Sequence, residues 1–396
     1  MEMIIKSLLE NDMYKFPMWQ IMLHRNPSAM AEYQFVCRST PEYSLSELEG
    51  DLNQQLDHLC TLSFQQDELD FLTKHTVLSA DFIAYLSMFR FQRDFITVSV
   101  ENESLLILAK GPQIQVMGFE IFCLSIVSEL YFRHFDTGEL LQQSRERLQQ
   151  KIQLLKTGLK QTKHPFEFFD FGLRRRWSAD WQDEMVRTLQ QQVPEYFKGT
   201  SNVYLAKKYG LTPIGTMAHE YLQSYQVNGS VLRDFQKNAL EDWVQEFRGS
   251  LAIALTDTIS MDAFLQDFDL YFAKLFDGIR HDSGCPFAWG DKGIEHFKKL
   301  NIDPHSKRLV FSDGLDINLS LKLHHYFADQ IKTGFGIGTH LSNDTGVKPL
   351  NIVMKLMRLN GLPVAKLSDS PGKTLCENQL YVDYLKNIFN YQVKET

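Results

Sequence analysis

The sequence predicts an α/β protein whose C-terminal part forms a (β/α) barrel. From about Phe166 onward, short apolar runs typical of strands alternate with amphipathic helical patterns, and this repeated spacing is typical of a parallel sheet. Roughly eight strand positions fit this part of the chain, which favours a closed, irregular barrel over an open sheet. Three acid- and glycine-rich runs closely follow predicted strands, and parallel α/β proteins bind their ligands at the carboxyl ends of strands.

The predicted elements of this C-terminal part alternate along the chain. The strand candidates lie at 166–171, 196–199, 213–217, 250–255, 276–279, 308–311 and 332–335. The helical patterns between them include those at 180–192, 231–247, 261–274 and 319–330.

The N-terminal part mixes element types. Residues 31–37 alternate like a strand, and two strand patterns that flank a turn predict a hairpin at 95–109. Helical spacing occurs at 45–62, 80–91, 118–135 and 139–157. We therefore predict a mixed α/β N-terminal domain at 1–140 and an α/β barrel that carries the active site at 141–351. The segment 352–396 returns to a mixed pattern, and we expect it to fold back on the N-terminal domain.

Composition and charge exclude several classes of protein. The net charge of −8 over 396 residues argues against broad nucleic-acid binding. The five cysteines include no CxxC pair, so we expect reduced thiols rather than a disulfide framework or a zinc site. The first residues show no signal-peptide pattern. The apolar stretch at 119–131 contains Glu120 and Glu129 and is expected to be too short and too polar to span a membrane. We expect a cytoplasmic protein without nucleic-acid or membrane partners.

Chemically active side chains concentrate where the predicted strands end. Glycine N–H groups and hydroxyls can hold a phosphate group, and carboxylates can bind ribose hydroxyls or a hard metal ion, so this edge suits a phosphorylated sugar. The candidates are Phe171, Arg174, Thr200, Ser201, His219, Asp257, Arg280, Asp282, Asp313, Gly314, Gly336, Gly338 and Thr339.

Each of these features could equally be structural. The arginine run at 174–176 is typical of a solvated charge cluster, and a single histidine such as His219 at a strand end is usually structural. Asp313 and Gly314 are typical turn residues, and glycines in βα turns often serve only backbone geometry. The joint pattern favours a site, because a barrel would expose all of these groups at one edge.

Eight short motifs along the chain resemble those of one enzyme family. They are NDMYK at 11–15, DFGLR at 170–174, GTSN at 199–202, GTMAHE at 215–220, TDT at 256–258, RHDSG at 280–284, FSDGLD at 311–316 and FGIGTHLSND at 335–344. Their order resembles that of the nicotinate phosphoribosyltransferases of the bacterial type, over nearly the whole chain. GTMAHE combined with RHDSG and FGIGTHLSND is highly specific.

The resemblance implies an activity, a fold and an assembly. The family condenses nicotinate with phosphoribosyl pyrophosphate to give nicotinate mononucleotide and pyrophosphate in NAD biosynthesis. The reaction is coupled to ATP hydrolysis, which implies an ATP-dependent ligase that forms a carbon–nitrogen bond, with Mg²⁺ as cofactor. The implied fold is the irregular (β/α) barrel of the type II phosphoribosyltransferase kind plus a mixed α/β N-terminal domain. The implied assembly is a homodimer with its sites near the interface.

The resemblance also implies roles for the residues that would bind nicotinate. Phe171 would stack on one face of the pyridine ring, and Tyr14, from the partner subunit, would cover the other. Arg174 would hold the carboxylate of nicotinate or a neighbouring phosphate. Related nicotinamide-using enzymes carry an aspartate at the position of Ser201, so Ser201 favours the acid as substrate.

The remaining implied roles concern ribose transfer and ATP. Asp257 and Asp282 would stabilise the positive charge that develops at the anomeric carbon, or position Mg²⁺. His219 would accept a phosphoryl group from ATP and become phosphohistidine. The phosphate-binding set is Arg38 and Arg280 for pyrophosphate, and Gly336, Gly338 and Thr339 for the ribose 5-phosphate. Thr200, Asp313 and Gly314 complete the predicted substrate-binding residues.

Three alternative functions remain. A nicotinamide-using phosphoribosyltransferase is the nearest of them, and Ser201 argues against it. A barrel glycosidase would need two carboxylates roughly 5–9 Å apart at a sugar cleft, and Asp257 with Asp282 would be the candidate pair, although this alternative leaves the phosphate-binding glycines and arginines unexplained. A non-catalytic sensor would bind phosphoribosyl pyrophosphate without releasing pyrophosphate.

Overall fold

The computed structural model describes residues 2–229, 231–370, 373–374 and 376–391. The helices are α1 (Lys15–Arg25), α2 (Glu49–Leu59), α3 (Gln66–His75), α4 (Ala80–Met88), α5 (Gln113–Val116), α6 (Phe119–Phe132), α7 (Thr137–Gly158), α8 (Ala179–Gln192), α9 (Val203–Tyr209), α10 (His219–Asn228), α11 (Phe235–Phe247), α12 (Met261–Asp267), α13 (Leu270–Leu275), α14 (Pro286–Lys299), α15 (Ile317–Phe327), α16 (Thr339–Ser342) and α17 (Gln379–Ile388). The strands are β1 (Met30–Cys37), β2 (Ile96–Glu101), β3 (Ser104–Pro112), β4 (Phe168–Asp170), β5 (Phe197–Thr200), β6 (Thr212–Pro213), β7 (Ile253–Leu255), β8 (Gly278–His281), β9 (Arg308–Phe311), β10 (Lys332–Ile337), β11 (Ile352–Leu359) and β12 (Leu362–Pro363).

The chain divides into two compact units, each made of several segments. The first comprises Met1–Thr157, Phe169–Gly215 and Ile337–Lys355, and the second comprises Gly158–Phe168, Thr216–Gly336 and Leu356–Thr396. The domain bounds at 1–140 and 141–351, with the C-terminal segment 352–396 folded back, stay a prediction. Residues 1, 230, 371, 372, 375 and 392–396 of those ranges lie outside the described residues.

The first unit contains the predicted hairpin and strand of the N-terminal part. β2 pairs antiparallel with β3 in a register that joins Glu101 to Ser104, and β3 pairs antiparallel with β1. The two residues of the turn, Asn102 and Glu103, both have positive φ angles, 48° and 63°. This is the backbone of a type I′ turn, whose twist matches that of the two strands. The predicted hairpin is therefore confirmed.

The first unit also contains the three parallel strands β4, β5 and β6, in the order β6–β5–β4. β5 pairs with β6, and Gly199 of β5 lies opposite Thr212 of β6. The N–H group of Ser201, just after β5, donates to the carbonyl oxygen of Asp170 at the end of β4. Because the strands are parallel, Asp170 and Ser201 lie at the same carboxyl edge, where the sequence predicted ligand-binding groups.

Helices α5 and α6 form the most apolar helical run of the first unit. The stretch Gln113–Phe132 has the length and composition of a membrane span, but 89% of its 18-residue window is buried inside the protein. It is longer than the apolar stretch at 119–131 because α5 precedes α6. Its hydroxyl groups are satisfied internally, since Ser125 donates to the carbonyl of Ile121 and Ser128 to that of Arg176. The run has the burial of a core helix.

The second unit contains the parallel strands β7 to β10, in the order β10–β9–β8–β7. Each connection contains at least one helix, namely α12 and α13 after β7, α14 after β8 and α15 after β9, and this is the βα pattern that the spacing predicted. Phe311 of β9 stacks on Phe335 of β10 with ring centroids 5.6 Å apart. Close strand contact explains Gly278, because a Cβ there would lie 2.1 Å from the carbonyl oxygen of Arg308.

The seven strands predicted from residue 166 onward correspond to β4 to β10, with bounds that differ by a few residues. The largest difference affects the predicted strand at 213–217. β6 ends at Pro213, and His219 is the first residue of α10 rather than a residue at a strand end. Residues 214–218 form a half-buried loop, which a pattern of apolar residues alone does not separate from a short strand.

Candidate active site

In the first unit, a buried cluster of charged side chains is centred on Asp12 and Arg174. The hydroxyl of Ser201 donates to Oδ1 of Asp12 at 2.5 Å, and Oδ2 of Asp12 lies 3.7 Å from Nε of Arg174. Nη1 of Arg174 lies 3.2 Å from Oε1 of Glu120, whose second oxygen lies 2.6 Å from Nζ of Lys15. Two carboxylates and two cations therefore balance each other in formal charge.

The two carboxyl groups of this cluster respond to their surroundings in opposite ways. Burial raises the pKa of Asp12 to about 6, although Arg174 and the hydrogen bond from Ser201 oppose the shift. Burial would also raise the pKa of Glu120, but Lys15 and Arg174 outweigh it and lower that pKa to about 2. Because Arg174 is closer to Glu120 than to Asp12, Asp12 is the member of the cluster whose charge is least compensated.

Tyr14 lies beside this cluster. Its ring centroid is 5.8 Å from Cζ of Arg174 in the same chain, and the residue is 8% exposed. The backbone of Tyr14 approaches Gly215 so closely that a Cβ on Gly215 would lie 2.5 Å from the Tyr14 nitrogen. The first glycine of the GTMAHE motif is thus required for the close approach of the NDMYK segment.

The carboxylate of Asp170 lies next to Thr200 and is a shared hydrogen-bond acceptor. It accepts hydrogen bonds of 2.8 Å from the N–H of Gly172, from the side chain of Gln182 and from the hydroxyl of Thr200. Burial raises the pKa of Asp170, and these hydrogen bonds oppose that shift. Thr200 is fully buried, and its oxygen also accepts from the N–H of Asn202. Its role in substrate binding stays a prediction.

The glycine-rich segment after β10 contacts Phe171. The N–H of Phe171 donates to the carbonyl of Ile337 at 2.8 Å, and a Cβ on Gly338 would lie 3.3 Å from the carbonyl oxygen of Phe171. Thr339 begins the short helix α16 directly after Gly338. Within the first unit, the structure thus brings Phe171 to the segment predicted to bind phosphate. Arg38, at the end of β1, is exposed.

In the second unit, His219, Asp257 and Asp282 form one cluster, and their candidate ligand atoms all lie within 4.8 Å of one another. Nε2 of His219 lies 2.8 Å from Oδ1 of Asp257 and 3.7 Å from Oδ2 of Asp282. A fourth residue, Lys366, joins them, with its Nζ 2.7 Å from Oδ2 of Asp257 and 3.8 Å from Oδ2 of Asp282. The structure therefore brings together the three residues that were predicted to be catalytic.

The electrostatics of this cluster keep His219 neutral. Burial lowers the pKa of His219 to about 4; the ammonium of Lys366 adds to that shift, and the carboxylates of Asp257 and Asp282 oppose it. Burial alone would raise the pKa of Asp257, but Lys366 and His219 hold it well below its ordinary value. Burial and Asp257 would raise the pKa of Asp282, but Lys366, His219 and Arg280 together outweigh them, so that pKa is also lowered.

The charge state of Asp257 fixes the tautomer of His219. Since Asp257 is ionised, Nε2 of His219 carries the proton and donates it to Oδ1. Nδ1 then holds the free lone pair of the imidazole, and it makes no hydrogen bond within the part of the chain that the structure describes. The arrangement is that of a nucleophilic histidine oriented by a carboxylate.

Three other predicted residues lie at or after the ends of β8 and β9 in the second unit, namely Arg280, Asp313 and Gly314. Nη2 of Arg280 donates to the carbonyl of Met217 at 2.9 Å, while its Nε has no hydrogen-bond partner among the described residues. Asp313 pairs with Nζ of Lys373 at 2.7 Å. Gly314 has a φ of 61°, so the turn itself favours glycine there.

The predicted Mg²⁺ ligands, Asp257 and Asp282, differ in how well they fit a metal ion. Asp257 is 1% exposed, and both of its oxygens have direct partners, namely His219 on Oδ1 and Lys366 and Ser283 on Oδ2. The side chain of Asp282 is 29% exposed, and the hydrogen bond that it accepts among the described residues, from Ser312, is 3.1 Å long. Mg²⁺ prefers oxygen ligands and keeps several waters, so Asp282 fits a metal directly and Asp257 fits only if Lys366 moves.

Three charged partners of the predicted site residues were not predicted from the sequence. Lys366, which joins the His219 cluster, and Lys373, which pairs with Asp313, lie in the C-terminal segment, for which the sequence predicted no chemistry. Glu120 lies within a mostly apolar helix. The signal for Glu120 was its position, because a carboxylate in an otherwise apolar helix requires a buried cation. Lys366 had no such signal, since isolated lysines are usually exposed.

The comparisons with known proteins agree with one another. Residues 166–393 match the nicotinate phosphoribosyltransferase (NAPRTase) family, and residues 9–128 match the NAPRTase N-terminal domain. The nicotinate phosphoribosyltransferase of Herminiimonas arsenicoxydans is 62% identical over 98% of both chains. The enzyme of the same name from Chromobacterium violaceum is 54% identical over 98% of this chain and 97% of its own.

Solved structures give the same answer for the fold. The nicotinate phosphoribosyltransferase of Vibrio cholerae has a TM-score of 0.93 at 38% identity and covers 99% of this chain and 95% of its own. That of Porphyromonas gingivalis has a TM-score of 0.90 at 32% identity, over 98% and 100%. The predicted fold class, an irregular (β/α) barrel plus a mixed α/β N-terminal domain, is confirmed. The chain belongs to the nicotinate phosphoribosyltransferase family.

Proposed function

We propose that this chain is a nicotinate phosphoribosyltransferase of NAD biosynthesis that is coupled to ATP through His219. The transferase activity is supported by family membership over nearly the full length of the chain. The observation that carries the ATP-coupled mechanism is the cluster of His219, Asp257 and Asp282, in which a neutral imidazole is oriented by an ionised carboxylate.

Nicotinate would bind at the charged cluster of the first unit. Arg174 would turn one edge of its guanidinium to the carboxylate of nicotinate, which is the geometry that a planar guanidinium suits. Phe171 would stack on one face of the pyridine ring, and Tyr14 of a partner subunit would stack on the other. The neutral hydroxyl of Ser201 adds no repulsion to this anion, whereas an aspartate there would.

Ribose transfer would then form a bond between the pyridine nitrogen and the anomeric carbon of phosphoribosyl pyrophosphate, while the bond from that carbon to pyrophosphate breaks. Positive charge develops on the ribose, and the carboxylates of Asp257 and Asp282 would stabilise it. Asp282 would hold Mg²⁺, which when bound neutralises the leaving pyrophosphate. Arg38 and Arg280 would bind pyrophosphate, and Gly336, Gly338 and Thr339 the ribose 5-phosphate.

ATP would enter the cycle at His219. Nδ1 would attack the γ-phosphorus of ATP, the bond from that phosphorus to the β–γ bridging oxygen would break, and ADP would leave. The proton on Nε2 would stay in place, held by Asp257. Water would later cleave the phosphorus–nitrogen bond and release phosphate. Phosphohistidine brings negative charge beside Lys366 and Asp282, and this change would alter the affinity for substrates and products.

The test of the proposed function is a product assay with the purified protein, Mg²⁺, phosphoribosyl pyrophosphate and either nicotinate or nicotinamide, with and without ATP. We expect nicotinate mononucleotide and pyrophosphate from nicotinate, little product from nicotinamide, and stimulation by ATP. Preference for nicotinamide would establish the rival transferase. Binding of phosphoribosyl pyrophosphate without release of pyrophosphate would establish a sensor, and release of sugar from neutral glycosides would establish a glycosidase.

A further inference from the structure

Lys366 is held in place on both sides by backbone hydrogen bonds. Gln226 pairs with Ala365 in both directions, because its side chain accepts from the Ala365 N–H at 2.8 Å and donates to the Ala365 carbonyl at 2.7 Å. The N–H of Leu367 donates to the carbonyl of Thr258 at 2.8 Å. Since Thr258 follows Asp257 directly, the backbone around Lys366 is fixed next to the carboxylate that its ammonium contacts.

The ammonium of Lys366 occupies the space between two carboxylates. It lies 2.7 Å from Oδ2 of Asp257 and 3.8 Å from Oδ2 of Asp282, and the side chain is only 12% exposed. Ser283 donates to the same oxygen of Asp257 at 2.6 Å. A divalent metal ion that bridged the two carboxylates would need the position that this ammonium now holds.

We propose that Lys366 is the resident counter-ion of Asp257 and Asp282, and that it prevents a free divalent metal ion from bridging these carboxylates in the substrate-free enzyme. The inference rests on the proposed function only in assigning both carboxylates to the active site. The carboxylates of Asp257 and Asp282 and the ammonium of Lys366 sum to one negative formal charge. A divalent ion would leave a net positive cluster with two cations in contact, which is unfavourable in a poorly solvated site.

The charge of this cluster affects whether a metal ion can bind before the phosphorylated substrate does. A metal ion that arrives together with a phosphate-containing anion brings its own negative charge, so the ammonium of Lys366 can turn toward that anion instead of repelling the metal. Lys366 would therefore admit a divalent ion only together with a phosphate-containing ligand. Because the backbone on both sides of Lys366 is fixed, only the side chain moves.

The test measures binding of Mn²⁺ alone to the intact protein by electron paramagnetic resonance, without phosphate-containing ligands. We expect very weak binding to the wild type and to Lys366→Arg, which keeps the charge, and binding at least about tenfold tighter to Lys366→Met. Adding Asp282→Asn to Lys366→Met should remove the gain. Lys373→Met is the matched control, because Lys373 belongs to the same C-terminal segment but pairs with Asp313, and it should bind like the wild type.

Two results would overturn the proposal. One is wild-type binding of Mn²⁺ as tight as that of Lys366→Met, and the other is a folded Lys366→Met protein that gains no binding. Thermal melting establishes folding, and Lys366→Gln replaces the methionine variant if that variant does not fold. The readout is metal binding alone, so it can fail while the transferase activity stands. A protein without transferase activity can equally give the expected metal result.

Discussion

The hydroxyl group of Ser201 donates a hydrogen bond of 2.5 Å to Oδ1 of Asp12. Ser201 therefore lies against a buried carboxylate whose charge is only partly compensated by Arg174, 3.7 Å away. An aspartate at position 201 would place a second carboxylate next to Asp12 and near the proposed binding site for the carboxylate of nicotinate. The repulsion would act in a poorly solvated region, where it is little screened.

We predict that Ser201→Asp raises the KM for nicotinate by about a hundredfold, which is ~3 kcal/mol, and changes the affinity for phosphoribosyl pyrophosphate far less. Steady-state kinetics with each substrate varied in turn measures both effects. Ser201→Ala is the control, because it removes the hydrogen bond to Asp12 without adding charge and should raise the KM only slightly. Unchanged nicotinate kinetics in Ser201→Asp would show that Ser201 does not line the nicotinate-binding site.

The raised pKa of Asp12 predicts a pH-dependent stability. Asp12 has an ordinary pKa of 3.8 in the unfolded chain, whereas burial raises it to about 6 in the folded protein. Between these values the folded protein binds more protons than the unfolded chain, so the stability contributed by Asp12 falls as the pH rises through this window. At pH 7 its ionised form therefore destabilises the folded protein.

Asp12→Asn removes this titration. We expect the free energy of unfolding of the wild type, minus that of Asp12→Asn, to fall by about 2 kcal/mol between pH 4 and pH 7. Denaturant unfolding at several pH values measures the difference, and other titrating groups largely cancel between the two proteins. A difference that rises with pH would mean that Arg174 and Ser201 dominate, so that the pKa of Asp12 is lowered rather than raised.

The proposed homodimer predicts complementation between two inactive variants. If Tyr14 completes the site of the partner subunit, a mixed dimer of Tyr14→Ala and Phe171→Ala chains has one site with both rings intact. Random exchange makes half of the dimers mixed, so we expect recovery of about a quarter of wild-type activity in a two-fold symmetric dimer.

Each variant alone, taken through the same exchange procedure, is the control for this mixing experiment. Subunit exchange is verified with differently tagged chains. No recovery after verified exchange would mean that each site is built within one chain. The ring of Tyr14 already lies 5.8 Å from the guanidinium carbon of Arg174 in its own chain, so the two arrangements are distinct and the experiment separates them.

The parts of the fold that local patterns determine could be predicted from the sequence. The strands from β4 to β10 were found because short apolar runs that alternate with helical patterns are typical of buried parallel strands. Asp257 and Asp282 were found because polar residues at consecutive strand ends share one edge of a parallel sheet, and His219 was found in the GTMAHE motif that follows β6. Their distances in the structure confirm that these three lie together.

The residues that sequence reasoning missed are brought to their sites by long-range contacts. Lys366 reaches Asp257 across more than a hundred residues of chain, and no local pattern marks such a pairing. Glu120 is charged inside a helix whose other residues are mostly apolar, and its partners, Lys15 and Arg174, come from two distant segments. The start of α10 at His219 was missed because a half-buried loop that contains apolar residues resembles a short strand.

The variant His219→Asn distinguishes a structural role of His219 from a role as phosphoryl acceptor. Asparagine in His219→Asn keeps a group that can donate a hydrogen bond to Asp257, but it cannot accept a phosphoryl group as the free Nδ1 of the imidazole can. We expect the variant to fold normally and to lose ATPase activity. It should keep slow synthesis of nicotinate mononucleotide without ATP, because Arg174, Asp282 and the phosphate-binding glycines remain. ATP should no longer improve its apparent affinity for phosphoribosyl pyrophosphate.

A purely structural His219 would give the opposite pattern, in which thermal stability falls while ATP still stimulates the residual activity. Labelling with γ-labelled ATP gives an independent measurement, because phosphohistidine is lost in acid whereas phosphoserine is not. We expect acid-labile label in the wild type and none in His219→Asn. Because Nε2 of His219 is hydrogen-bonded to Asp257 at 2.8 Å, we expect the phosphoryl group to be attached to Nδ1. Acid-labile label that persists in His219→Asn, together with intact stimulation by ATP, would contradict the assignment.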